Sequence, residues 1–238
     1  MYPIFDLHIH AVPQIDDGSR NMEESLEILK KVADFGVTDV FCTCHSDYFN
    51  KGGRNYKEKF EKLSEAVRLA EIPVKLHKGC EVRCVFRNME SIINRVDDGW
   101  FDTLGDSKYV LLELCTEVSI TEALQIVKMF VGRGYVPIVA HMERNYNLAI
   151  SSVGLLVNEG ALVQVNAYSF VDKRDSEMRE KARILLKNSL VHFVGSDAHR
   201  VDERLPNFSA GIQYVMENSN NDTAYKILYG NAKNILCI

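Results

Sequence analysis

Two histidines one residue apart, His8 and His10, stand near the start of the chain, with the carboxylate pair Asp16-Asp17 just behind them. Further along come His45, Glu81, Glu113, His141 with Glu143 and Arg144, and then Asp197 and His199 with Arg204. Imidazole and carboxylate donors without a thiolate suit Mn, Fe or Zn, and the share of oxygen leans towards Mn. A carboxylate such as Glu81 can bridge two ions about 3.5–4 Å apart, and such a pair clamps a phosphate and lowers the pKa of bound water towards 7. Glu113, set in the apolar run Leu111-Leu112-Glu113-Leu114, needs a cation or metal if it is buried there. Arg144 follows His141 and Arg204 follows His199 at loop distance. Their guanidinium forks match phosphate oxygens, which makes both candidates for substrate binding.

These groups meet only if the elements carrying them converge. The chain alternates short β-branched runs with longer amphipathic ones, the pattern of strand–helix repeats around a parallel sheet. Strands are expected at Ile4–Ile9, Val37–Cys44, Val74–Cys80, Tyr109–Leu114, Val136–Ala140, Ala161–Val165 and Leu190–Gly195. Helices are expected from about Met22 to Phe35, from Tyr56 to Glu71, from Ser119 to about Gly132 and from Ser176 to Lys187, with a mostly helical remainder. No linker or biased segment interrupts the order. The reading is one α/β domain over residues 1–238, a distorted (β/α)7 TIM-like barrel. Such barrels carry their chemistry at the C-terminal ends of the strands.

The candidate ligands fall at those ends. His8 and His10 close the first strand on one face, His45 the second, Glu81 the third and His141 the fifth. Glu113 is near the end of the fourth, and Asp197 and His199 close the seventh. Five of the seven histidines therefore share one rim with four carboxylates, which reads as a polynuclear metal site. His77 and His192, placed inside strands three and seven, are assigned to structure. Tyr48, Phe49 and Tyr168 are read as anchors of rim loops, the alternative being an aromatic pocket for a substrate ring.

Of the 238 residues, 46% are hydrophobic and 26% charged, with 28 Lys and Arg against 33 Asp and Glu for a net charge of -5. This is globular composition and not that of a disordered or collagen-like chain. The acidic balance argues against nucleic acid as partner. No run reaches the roughly 18 apolar residues of a membrane span, and the first residues lack a signal peptide's basic flank and apolar core. The expectation is a cytoplasmic protein without membrane insertion. The six cysteines form no C-x-x-C pair and mostly lie in apolar runs, as reduced core residues do.

Asp6-Leu7-His8-Ile9-His10, strand-end His45, Ala140-His141 and Ser196-Asp197-Ala198-His199 resemble the four motifs of the polymerase and histidinol phosphatase (PHP) superfamily. Within it, the runs His10 to Arg20, Gly79-Cys80-Glu81-Val82-Arg83, Ala140 to Arg144, Gly160 to Gln164 and Gly195 to His199 are similar to one subgroup. These are the manganese-dependent protein-tyrosine phosphatases of bacterial capsule and exopolysaccharide loci. The resemblance implies a trinuclear cluster. His8, His10, Glu81 and Asp197 would hold one ion, and Glu81, Glu113 and His141 a second. Asp17, the second of its pair, would hold the third with His45 and His199. Arg144 and Arg204 would bind phosphate. The implied substrate is a phosphotyrosine protein, a bacterial tyrosine kinase, hydrolysed by metal-bound hydroxide. Met142 in place of a Pro, the second motif Thr43-Cys44-His45-Ser46-Asp47 and the pair Cys115-Thr116 depart from the usual pattern without removing a ligand.

A cysteine-based tyrosine phosphatase is excluded, because the position six past a Cys is Tyr48, Asn50, Phe86, Glu90 or Thr121 and never Arg. The alternatives are a small-molecule phosphatase such as one for histidinol phosphate, a nuclease-like phosphodiesterase, and a metal- or phosphate-binding regulatory module without turnover. The acidic balance counts against the second, and the complete ligand set against the third.

Overall fold

The computed structural model describes residues 3–48 and 55–237; Phe49 lies outside them. Seven strands pair in parallel in chain order. They are β1 (Ile4–Ile9), β2 (Val37–His45), β3 (Lys75–Cys84), β4 (Tyr109–Leu114), β5 (Val136–Val139), β6 (Leu162–Asn166) and β7 (Phe193–Gly195). Helices α1 (Met22–Asp34), α2 (Tyr56–Leu69), α3 (Met89–Asp97), α4 (Ile120–Gly132), α5 (Ile150–Asn158), α6 (Ser176–Lys187) and α7 (Phe208–Asn218) fill the connections and follow β7. The short α8 (Asn221–Tyr225), a π-helical turn at Lys226–Gly230 and α9 (Asn231–Ile235) end the described chain. The result is a TIM-like barrel of seven strands, nearly closed.

Local signals explain the helix limits. Asn21 accepts the Glu24 N–H at 2.9 Å to start α1, and Gly36, at φ 89°, takes the left-handed turn into β2. At α4, Ser119 and Glu122 cap one another's backbone N–H groups. The sequence pattern predicts no helix at α3 or α5. Both are nine residues long, too short for their periodicity to stand out from the neighbouring apolar strands.

Two strand limits differ by more than one residue. β3 was expected to end at Cys80, yet it continues to Cys84 because Glu81–Cys84 pair with Leu111–Leu114 of β4. Glu81 thus sits within a strand and does not close one. β7 begins at Phe193, so His192 lies just ahead of it; its ring Nδ1 is 3.1 Å from the Val163 N–H and its own N–H donates to Val163 O at 2.9 Å. The structural assignment of His192 holds, and so does that of His77, whose Nε2 is 2.8 Å from Asp39 Oδ1.

Side chains divide between two apolar sets. One lies between strands and helices, and it includes Cys42, Cys44, Cys80 and Cys84. The other, with Phe5, Leu7, Phe41, Leu111, Ile138 and Phe193, fills the barrel, and Ala232 and Ile235 of α9 belong to it. On β1 the alternation slips: Leu7 is in the inner set and Ile9 in the outer one. The β1–β2 register is irregular over the same stretch, between Asp6 and Ile9. Such an irregularity re-aims side chains. Here it lets the apolar filling and the histidine pair both face inward from one strand. Asp6 Oδ1 secures it by accepting N–H bonds from His8 at 3.2 Å and Ser196 at 2.8 Å.

The chain beyond β7 completes the ring. Asp197 N–H donates to His8 O at 2.6 Å, and His10 N–H to Ala198 O at 3.0 Å. Gly195 is required at this seam, since a Cβ there would lie 2.6 Å from His8 Cβ.

Candidate metal centre

The barrel rim gathers side chains from β1 and the loop after it, from β2, β3 and β4, from just past β5 and from the segment after β7. His8 Nε2 and His10 Nε2 are 3.0 Å apart. Both face Glu81 Oε2, at 3.2 and 3.3 Å, and Asp197 Oδ1, at 3.5 Å each. All four side chains are buried. The four residues grouped on the first ion by resemblance therefore converge on one point.

The other two groups assemble beside it. His141 Nε2 is 2.8 Å from Glu81 Oε1, and a Glu113 oxygen lies within 4.8 Å of donor atoms of Glu81 and His45. Asp17 Oδ1 is 3.5 Å from His45 Nε2 and 3.6 Å from His199 Nε2. His45 Nδ1 also reaches Glu81 Oε2 at 2.8 Å, so His45 faces both the second group and the third. All nine candidate ligands thus lie at one site. His141 and Asp197 hold left-handed backbone at φ 32° and 51°. Strain of this sort at non-glycine residues gathers at functional sites.

Both arginines arrive at the same edge. Arg144 Nη1 lies 3.5 Å from Asp197 Oδ2, and Arg204 Nη1 contacts the same oxygen. Arg204 also approaches His199 Nδ1 at 3.2 Å and packs 5.9 Å from the Tyr168 ring centroid. Asp197 thus turns Oδ1 to the histidines and Oδ2 to the arginines. Tyr168 is buried, as a loop anchor would be, and Tyr48 lies at the rim with its ring centroid 6.3 Å from that of His45.

Several residues with no role assigned from sequence support these groups. Asp16 Oδ2 pairs with His10 Nδ1 at 2.7 Å and accepts the His45 N–H at 2.9 Å. Its Oδ1 accepts the Gly18 N–H at 3.0 Å. Gly18 presses so closely on His10 that a Cβ would meet His10 O at 2.4 Å. Gln164, Asn166 and Glu143 form a second buried group behind His8, His141 and Asp197. The alternation Val163-Gln164-Val165-Asn166 was the available signal, because polar residues alternating with β-branched ones face the polar interior of a barrel end.

The donor atoms fit cations. Glu81 Oε2 is within 3.3 Å of three ring nitrogens yet is aligned for a hydrogen bond with none. Glu113 Oε2 and His141 Nδ1 are likewise buried without a hydrogen-bond partner among the described residues. Burial opposes ionisation of Glu81, but His8, His10, His141 and His45 carry it well below the usual carboxylate range. Burial and the repulsion of Glu81 raise Glu113. His199 is pushed down to about 3 by burial and by His10. Buried carboxylates and imidazoles packed edge to edge are the arrangement divalent ions relieve.

The chain matches the family model for capsular polysaccharide synthesis, CpsB/CapC, over residues 4–237. The tyrosine-protein phosphatase CpsB of Streptococcus pneumoniae is 25% identical over 98% of this chain and 98% of its own length. The tyrosine-protein phosphatase YwqE of Bacillus subtilis (strain 168) is 27% identical over 84% of this chain and 79% of its own. A solved structure from the pair YwqE and CpsB, described as unique metal-dependent tyrosine phosphatases, has a TM-score of 0.85 at 24% identity, covering 98% of this chain and 94% of that one. The histidinol phosphate phosphatase of Lactococcus lactis subsp. lactis, solved with zinc, L-histidinol and phosphate, has a TM-score of 0.58 at 15% identity over 90% of this chain and 92% of that one. These structural likenesses bear on the barrel. With the family match running almost end to end, this chain belongs to the CpsB/CapC capsular polysaccharide synthesis family.

Proposed function

We propose that this protein is a metal-dependent phosphomonoesterase that removes the phosphoryl group from phosphotyrosine in a protein. The substrate is a bacterial tyrosine kinase in capsule or exopolysaccharide regulation, met in the cytoplasm, and the chain works as one domain. The observation that carries this reading is the convergence of His8, His10, Glu81 and Asp197 beside two arginines in a chain of the CpsB/CapC family.

His8, His10, Glu81 and Asp197 would hold one ion, Glu81, Glu113 and His141 a second, and Asp17, His45 and His199 a third, with Mn as the resident metal. When bound, the ions supply positive charge beside the phosphoryl oxygens and a water of lowered pKa. Arg144 and Arg204 take the remaining phosphoryl oxygens, with Asp197 Oδ2 holding both guanidinium groups at the edge of the site. This is the positioning and charge neutralisation that phosphoryl transfer demands. Burial of Glu81 and Asp197 keeps water from that side of the site and strengthens the electrostatic contacts they make. A tyrosinate leaving group, with a pKa near 10, needs less help from an acid than an alkoxide does. That favours phosphotyrosine over phosphoserine.

The test is phosphate release from a phosphotyrosine peptide, a phosphoserine peptide and histidinol phosphate. Metal-stripped protein is assayed with Mn, Fe or Zn added back, beside His141→Ala and Arg204→Ala. Mn-dependent release from phosphotyrosine, lost in both variants, is expected. Preference for histidinol phosphate would replace the substrate assignment, metal binding without turnover on any of the three would mean that the substrate is another one, and phosphotyrosine binding without product release would make the protein a binding module.

A further inference from the structure

We infer that the Gln164 side-chain amide is a positioning residue for the metal centre, fixing the tautomer of His8 and, through Asn166, the carboxylate of Asp197. The inference rests on the reading of the site as a metal centre given above.

Gln164 is completely buried on β6. A buried primary amide is costly unless its donors and acceptors are used. Its Oε1 lies 2.8 Å from the His141 backbone nitrogen and 3.3 Å from His8 Nδ1. Its Nε2 lies 2.8 Å from Asn166 Oδ1, and Asn166 Nδ2 lies 2.9 Å from Asp197 Oδ2. The direction of this chain is forced from both ends. A backbone N–H only donates, so the atom facing His141 is the Gln164 carbonyl. An ionised carboxylate only accepts, so Asn166 turns its NH2 to Asp197 and its carbonyl to Gln164. Both requirements select the same orientation of the two amides.

The consequence falls on His8. An imidazole nitrogen facing a carbonyl oxygen must carry the proton, so Nδ1 is protonated and the Nε2 lone pair is left facing His10 Nε2, Glu81 Oε2 and Asp197 Oδ1. That lone pair is what a ligand needs. Gln164 also holds the N–H of His141, and its partner Asn166 holds the side chain of Asp197. These two residues have left-handed backbone at the rim. One amide thus connects candidate ligands that come from β1, from the end of β5 and from beyond β7.

Two substitutions separate positioning from packing. Gln164→Met keeps the side-chain length and removes the side-chain hydrogen bonds. Gln164→Glu keeps both acceptor bonds, to His141 and His8, but turns an oxygen on Asn166 and breaks the connection to Asp197. The measurement is Mn affinity, from free Mn by electron paramagnetic resonance, with unfolding of each variant followed separately in chelator. Wild type is expected to bind Mn, Gln164→Met to bind about 10–100-fold more weakly, and Gln164→Glu to fall between them. In Zn-loaded protein, the His8 Nδ1–H signal should be protected from exchange in wild type and lost in Gln164→Met. Folded variants that bind Mn within twofold of wild type would overturn the inference alone. A wild type that binds no divalent ion would overturn the metal-centre reading and the inference with it. Failure of both variants to fold would make Gln164 a folding residue and overturn its positioning role.

Discussion

Asp16 and Asp17 are chain neighbours with opposite surroundings. Asp17 is more than half exposed, with an oxygen facing His45 and His199, whereas the Asp16 side chain is buried against His10 Nδ1. Burial would raise Asp16, but His10 and the N–H groups of His45 and Gly18 hold it far below an ordinary carboxylate. It therefore stays ionised and keeps the His10 proton on Nδ1, leaving the Nε2 lone pair to face the metal position. Asp17→Ala should remove one bound ion and leave the others, whereas Asp16→Ala should weaken Mn binding about 10–100-fold by freeing His10 and the His45 backbone. Metal content by mass spectrometry, with Mn titrations, checks both. Loss of a single ion in Asp16→Ala with full occupancy in Asp17→Ala would reverse the assignment. From the sequence the pair is visible but its division of labour is not. Which carboxylate turns inward depends on the tight loop, where Gly18 lies against His10.

Strand seams are held by single buried side chains. Tyr56, at the start of α2, places its hydroxyl 2.8 Å from Cys42 O on β2 and 3.0 Å from Gly79 O on β3. Those two strands end in His45 and lead to Glu81, so their alignment sets one side of the metal centre. Removing the hydroxyl leaves buried carbonyls short of a donor. Tyr56→Phe should cost about 1–3 kcal/mol, read as a lower urea midpoint at unchanged slope; an unchanged midpoint would show that the strands align without it. The sequence predicts a helix starting at Tyr56 but not the hydroxyl's partners, which lie 14 and 23 residues away.

Across the whole molecule, the centre joins the two ends of the sheet. β1 carries His8 and leads directly into His10, and the segment after β7 carries Asp197 and His199, joined to them through the Asp197–His8 and His10–Ala198 backbone bonds. Metal bound there should stabilise the fold and not only the site. At a hundredfold excess over Kd the gain is about 2.7 kcal/mol, or roughly 5–10 °C in the unfolding midpoint of a chain this size. Calorimetry in chelator and at increasing Mn should show a midpoint that climbs with the logarithm of Mn concentration. A midpoint indifferent to Mn would mean that closure of the barrel does not depend on the ions.

Much of this protein is local information. The spacing of His8 and His10, the apolar setting of Glu113, the capping residues Asn21 and Ser119, and the alternation of strand and helix are legible in short windows, because periodicity and residue chemistry act over a few positions. From them follow the barrel class and the histidines and carboxylates of its rim, which the resemblance to the PHP phosphatases narrows to nine candidate ligands. The tertiary structure decided what depends on contacts between distant segments. The slip in β1 that turns His8 and His10 inward is secured by Asp6 reaching Ser196. The extension of β3 past Glu81 follows from pairing with β4. The buried amides of Gln164 and Asn166 find His141 and Asp197 at separations of 23 and 31 residues. Hydrogen-bond partners of buried polar groups are chosen by the packed fold, so a single strand's sequence shows that such a group exists but not what satisfies it.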